Sequence, residues 1–349
     1  MKELRHIAQT REQVLAWAIE KAERDYPGQI CLMIQSLNLR FPEERAVPSI
    51  DFFVPADGFA DTLSRTFIID GVGVDVYARS WARLEEMAEL NDYNAHLMGE
   101  GTVVYARSEE DRQRFLALQA RFRAHLADPA FMYQKALERL DTAMRLYQQG
   151  LFEENLGRVR MYAGYVADYL AQAIACANGD YFRYSQVSQL EELARMRTPE
   201  GFCAAYEALY RADSAAALRT LAEWMVRQTR AFLEENRPPR PEKTPDWNGL
   251  AGWYQELSYT WLRIRYYCAQ NDFRRVFAWG IFLQQELDVV AEEFGFPPID
   301  LLSRYDPDDL PAFAAWSDET ERQIRAILTE HGVKLAEYAD FAEFARENP

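Results

Sequence analysis

The sequence is poor in metal-binding and redox chemistry: it holds four cysteines and four histidines in 349 residues, with no Cys-x-x-Cys pair and no matching histidine spacing. Cys31, Cys176, Cys203 and Cys268 lie far apart, so they specify neither a zinc site nor a disulfide framework; free thiols in a reducing compartment are the expectation. No run of about 18 apolar residues is free of charge. The N-terminal MKELRHIAQTREQVLAWAIEKAERD also lacks the apolar segment of a secretory signal. A cytoplasmic protein without membrane contact is expected. Basic residues are outnumbered, 39 Lys and Arg against 55 Asp and Glu, and the formal net charge of −16 repels phosphate backbones, which argues against nucleic acid as a partner. Such a surface would attract a small cation, although solubility alone is an adequate and commoner reason for the charge. A Walker loop, a dinucleotide fingerprint and a Ser-His-Asp arrangement are also absent.

What is present divides by secondary-structure signal. Thr10-x-x-Gln13 reads as a capping box, followed by Val14, Leu15, Ala18, Ile19 and Ala22 at helical spacing until Tyr26-Pro27-Gly28. Apolar segments of strand length follow at Ile30–Ile34, Ile50–Val54, Thr66–Ile69, Val72–Tyr77 and Thr102–Tyr105, separated by Pro, Gly and Asp, with a helical stretch at Trp81–Asn91. Gly71-Val72-Gly73 fits a hairpin turn between two of them. From about Ser108 the pattern is helical: Arg112–Leu126, Tyr133–Gln149, Glu153–Asn178, Ser214–Glu235, Leu250–Ala269, Phe273–Phe294, Pro311–His331 and Phe341–Arg346. Pro238, Pro239, Pro241 and Pro245 make Glu234–Asp246 a connection. The predicted fold is therefore α+β: a small mixed-sheet domain over residues 1–107, then an all-helical bundle over 108–349, with a split near 236–246 left open. Two junctions, Asn178-Gly179-Asp180-Tyr181-Phe182-Arg183 and Gln270-Asn271-Asp272-Phe273-Arg274-Arg275, share a turn chemistry.

Two acids stand alone in strand-like runs, Asp51 in Ser49-Ile50-Asp51-Phe52-Phe53-Val54 and Asp75 in Val72-Gly73-Val74-Asp75-Val76-Tyr77. A carboxylate so placed must face water, a metal or a partner, because burying it unpaired is costly. This order of motifs resembles the nucleotidyltransferase superfamily that includes DNA polymerase beta and the kanamycin and lincosamide nucleotidyltransferases. Its pattern is a helix, a strand ending in Gly-Ser, a loop, a strand with Asp-x-Asp, and a further strand with a third acid. Here Gln35-Ser36 occupies the Gly-Ser place, Ser49-Ile50-Asp51 the Asp-x-Asp place and Asp75 the third acid, and Glu100–Tyr105 looks like the last strand of the domain. The resemblance spans roughly residues 10–107 and implies that Asp51 and Asp75 are catalytic and hold magnesium, while Gln35, Ser36 and Ser49 contact the nucleotide. It also implies transfer of a nucleoside monophosphate from a nucleoside triphosphate to a hydroxyl of a small molecule.

The departures define the alternative. Gln35 replaces the glycine that lets backbone approach a triphosphate, and Ser49 replaces the first acid of a two-metal site. Asp70, Glu85 and Glu86 are nearby candidates to substitute. Otherwise the chain is an inactive member of the fold that binds a nucleotide or a protein; a homodimer is also allowed. In the helical part Tyr162, Tyr165 and Tyr169, and Trp253, Tyr254, Trp261 and Tyr266, read first as core; if a small molecule binds there, these and Arg160, Arg263 or Arg265 are the candidates. Histidines at 6, 96, 125 and 331 leave none between residues 126 and 330, which removes an Arg-His ribonuclease from consideration; Arg121 and His125 fit an ordinary helix C-terminus.

Overall fold

The computed structural model describes residues 2–36, 47–59, 62–92, 95–239 and 245–348. Helix α1 (Lys2–Arg24) begins earlier than its capping signal, because Thr10 lies within the helix and its hydroxyl donates to the His6 carbonyl at 3.0 Å. Val14, Leu15, Ala18 and Ala22 form its buried stripe. After the turn at Gly28, whose φ of +76° suits glycine, the chain enters β1 (Ile30–Gln35). The other strands are β2 (Phe52–Pro55), β3 (Arg65–Ile69), β4 (Val72–Ala78) and β5 (Thr102–Ala106).

The sheet runs β3-β4-β2-β1-β5, with β2 and β4 parallel and the other pairs antiparallel. Central β1 is apolar on both faces because both are covered. Met33, Phe53 and Val76 pack on α1, while Leu32, Ile34, Phe52 and Val54 face the helices that follow. The β3–β4 hairpin turns on Asp70 and Gly71, with φ of +45° and +78°, the two positive angles of a type I′ turn. Edge strand β3 is largely exposed, Ile68 at 76%.

Helices α2 (Trp81–Ala88) and α3 (Ala95–Glu100) precede β5, and α4 (Glu109–Leu126) follows it. Ser80 and Ser108 cap α2 and α4 through their hydroxyls. The bundle continues with α5 (Pro129–Leu151), α6 (Leu156–Ala177), α7 (Gln189–Leu193), α8 (Phe202–Arg211) and α9 (Ala215–Glu235). Helices α5 and α6 pack along their length and α9 closes on both. Phe115, Leu118 and Phe122 of α4 share one core with Leu32, Ile34 and Phe52 of the sheet and with Val166, Leu170 and Ile174 of α6.

The chain divides into two compact units, Met1–Pro239 and Arg240–Pro349. The change from strands to helices at 107/108 lies inside the first. The second is built from α10 (Trp247–Ala269), α11 (Phe273–Phe294), α12 (Leu310–Glu330) and α13 (Phe341–Glu347), around Trp261, Leu283, Leu287 and Phe313. Architecture is thus α+β, a mixed five-stranded sheet followed by helices. The two similar junctions share a left-handed residue after the helix, Gly179 at φ +67° and Asn271 at +55°. Among the described residues no helix is long and apolar enough to cross a membrane.

Candidate functional site

Four of the five residues assigned from sequence meet at the base of the β1–β2 connection. Asp51 precedes β2 rather than lying within it, and its backbone N–H donates to the Ile34 carbonyl at 2.9 Å. Its carboxylate Oδ2 accepts from the backbone N–H of Ser36. Gln35 reaches across to accept from the Ser49 N–H at 2.9 Å, and the buried Ser49 hydroxyl has no partner among the described residues. Residues 37–46, which the sequence reads as the loop of this motif, lie outside the described residues.

The fifth residue, Asp75, is exposed on β4 and accepts from the Thr66 hydroxyl at 2.7 Å across the hairpin. None of the acids that could have substituted joins it: Asp70 pairs with His6 at 2.9 Å, Glu85 with Arg114 at 3.1 Å, and Glu86 accepts from Asn91 at 2.6 Å. Among the described residues no group of three or more His, Cys, Asp or Glu is placed to hold a metal ion. Among the described residues, then, no third acid of a two-metal site stands with Asp51 and Asp75.

A different constellation forms where α6 meets α7 and α8. Asp168, 4% exposed, sits in the apolar run Val166–Ala177 of α6. It is held by three side-chain amides: Gln172 and Gln189 donate to Oδ1 at 3.2 and 2.5 Å, and Gln186 to Oδ2 at 2.8 Å. Gln172 is one helical turn away, and the other two come from the segment that opens α7. That segment is anchored by the buried Glu192, which accepts from the backbone N–H groups of Arg183 and Tyr184 at 3.0 and 3.1 Å. Tyr206 of α8 donates to Gln189 Oε1 at 2.7 Å, fixing which end of that amide faces Asp168. Burial raises the Asp168 carboxyl above the ordinary range, opposed by the three amides and by the charge of Arg139.

Asp168 and Gln186 line two clefts. The first is also lined by His96 of α3, Arg139 of α5 and the buried Cys176. Burial, and then the nearby Arg79, push the His96 imidazole down to about 4, with Asp92 pulling the other way. Arg79 is itself buried between the rings of Phe52 and Tyr77, at 5.2 and 5.1 Å, and its Nε has no partner. The Cys176 thiol is pushed up to about 11 by burial, which keeps it protonated and unreactive. The second cleft is lined by Arg160, Met161, Tyr165, Tyr206 and Tyr210.

Arg160 and Tyr165, marked from sequence, thus line a cleft, whereas Trp261 is buried in the core of the second unit and Tyr266 is exposed. Tyr162 covers Gly150, and Trp253 and Tyr254 donate to Glu286 and Glu321 at 3.0 and 2.9 Å. Arg265 pairs with Asp318 and Glu321, and Arg263 lies between the rings of Tyr259 and Trp279. Sequence reading passed over His96, Arg139, Asp168, Gln172, Gln186 and Gln189. One signal was available: Asp168 is the sole acid of α6, embedded in small apolar residues with Gln172 four positions on.

No protein-family model matches the chain, and no curated protein does. Among solved structures, a nucleotidyltransferase-like protein from Exiguobacterium sibiricum 255-15 is similar at 15% identity, over 70% of this chain and 86% of that one, with a TM-score of 0.33. The likeness is one of coarse architecture.

Proposed function

We propose that this chain is a nucleotidyltransferase-like protein that binds a small molecule in its helical part and transfers no nucleotide. The observation that carries this reading is the hydrogen bond from the Ser36 N–H to Asp51. That donor is the one a triphosphate would need at this motif, and a carboxylate already fills the phosphate's place. Gln35 and Ser49, bonded to each other, close the same turn. The first unit instead sets the buried Asp168, Gln189 and His96 along clefts lined by both polar and apolar side chains.

The test is titration of ATP, GTP, CTP and UTP, with and without magnesium, into the wild type and Asp51→Asn, read by heat of binding and thermal midpoint. No magnesium-dependent stabilisation is expected in either protein. Stabilisation by any of the four that needs magnesium and disappears in Asp51→Asn would overturn this reading, because Asp51 would then seat a metal–nucleotide complex, and hydroxyl acceptors would be screened next.

A further inference from the structure

The cleft on the α8 side of Asp168 has a composition that selects its ligand. Met161, Gly164, Tyr165 and Asp168 recur at helical spacing along one face of α6, and Tyr206 and Tyr210, one turn apart on α8, face them across the opening. Tyr206 and Tyr210 stand 5.2 Å apart at a tilt of 35°, and Tyr165 and Tyr210 remain 44% and 60% exposed. At the base is a buried carboxylate. Among the described residues it receives three amide hydrogen bonds and makes no ion pair, with the charge of Arg139 on the neighbouring cleft, which leaves about one of its four acceptor positions open.

Tyrosine faces are electron-rich, and a cation against them with a carboxylate behind is held from both sides. Small inorganic cations keep their water and gain little from such a wall, whereas alkylated ammonium ions shed it easily. Arg160 also lines the cleft, eight residues before Asp168 and about 12 Å along the helix axis, and its exposed charge is screened by salt far more than that of the buried Asp168. Gly164 keeps the floor open, since a Cβ there would meet nothing within 4 Å.

We propose that this cleft binds an organic ammonium ion, quaternary or protonated, with Tyr165, Tyr206 and Tyr210 around the cation and Asp168 as counter-charge. The inference rests on the reading that the helical part is the ligand-binding part, and it names the ligand class.

The test uses the full chain and three probes: choline, its neutral isostere of the same size with carbon in place of nitrogen, and the smaller primary amine ethanolamine. Calorimetry should show choline or ethanolamine binding about tenfold or more tightly than the neutral isostere. The preferred ion then tells whether the site takes a quaternary or a protonated nitrogen. Gly164→Leu should abolish binding while leaving the thermal midpoint equal or higher, because it fills open space and removes a helical glycine. Tyr210→Ala, at an exposed position, should weaken binding several-fold, and Asp168→Asn should weaken it at least as much.

Equal affinity for ion and isostere would overturn the proposal, as would binding unaffected by Gly164→Leu or no binding up to about 10 mM of either ion. The nucleotide titration separates this failure from failure of the broader reading. Silent nucleotides with no ammonium binding sink the ligand class alone, whereas magnesium-dependent nucleotide binding sinks the reading beneath it.

Discussion

A histidine that must stay neutral makes a protein sensitive to acid in a defined window. His96 is held down to about 4, against an ordinary 6.5, by burial and by Arg79. Above pH 6.5 both folded and unfolded chains carry it neutral. As pH falls from 6.5 toward 4 the unfolded chain takes up a proton that the folded chain refuses, so stability is lost across that interval, by about 3 kcal/mol for a shift of this size. Urea unfolding of the wild type and His96→Gln at pH 7, 5.5 and 4 should show this interval flattened in the variant. Equal slopes would mean the imidazole is not what senses the pH. His96 also illustrates what sequence conceals at this scale. A lone histidine near Gly99 carries no spacing signal, and its environment is assembled from Arg79 and Asp92, brought to it by folding. Ser36, Ser49 and Asp51 were legible as a unit because a turn between adjacent strands joins residues near in sequence; Asp168 and Gln189 come together only through the segment after α6.

Among the elements, those with a regular apolar period could be read directly. Each of the five strands is found within two residues at its start, and α11 is found at its predicted bounds. Short helices were missed. Helix α3 spans Ala95–Glu100 and α8 spans Phe202–Arg211, lengths at which a 3.6-residue period hardly repeats and tertiary packing decides. The α3–β5 junction shows that packing. Gln119 of α4 is buried, and its amide donates to the carbonyls of Met98 and Gly101, both at 2.9 Å, so one side chain satisfies the end of α3 and the start of β5. Replacing it by leucine preserves bulk but strands two buried carbonyls, for an expected loss of about 2 kcal/mol in chemical denaturation. A loss within experimental error would show that water replaces the amide there.

For the whole molecule the decisive feature is where cores begin and end. The change from strand to helix near residue 107 is conspicuous in sequence, yet the buried cluster runs through it, from Leu32 and Phe52 to Phe115 and on to Ile174. A second cluster, with Leu250, Trp261 and Phe313, is made only of residues after the proline-rich stretch. A fragment of residues 1–239 is therefore expected to unfold in a single cooperative transition, whereas 1–107 loses the α4 side of its sheet and should not. Differential scanning calorimetry of the two fragments decides it; a cooperative transition in 1–107 would place a domain boundary at the strand-to-helix change. Sequence patterning reports the type of each element, but continuity of a core depends on which faces meet.

The sheet's outer edge has a consequence of a different kind. Strand β3 ends the sheet with its neighbour on one side only, and it presents Ile68 and Ile69 outward at 76% and 38% exposure. A row of unpaired peptide groups beside two exposed isoleucines is a template on which another strand can grow, and the charge of Arg65 guards just the beginning of it. The large negative charge of the chain keeps molecules apart in dilute buffer, but salt screens that repulsion and leaves the edge in place. Concentrating this protein in high salt therefore invites sheets to join edge to edge along β3.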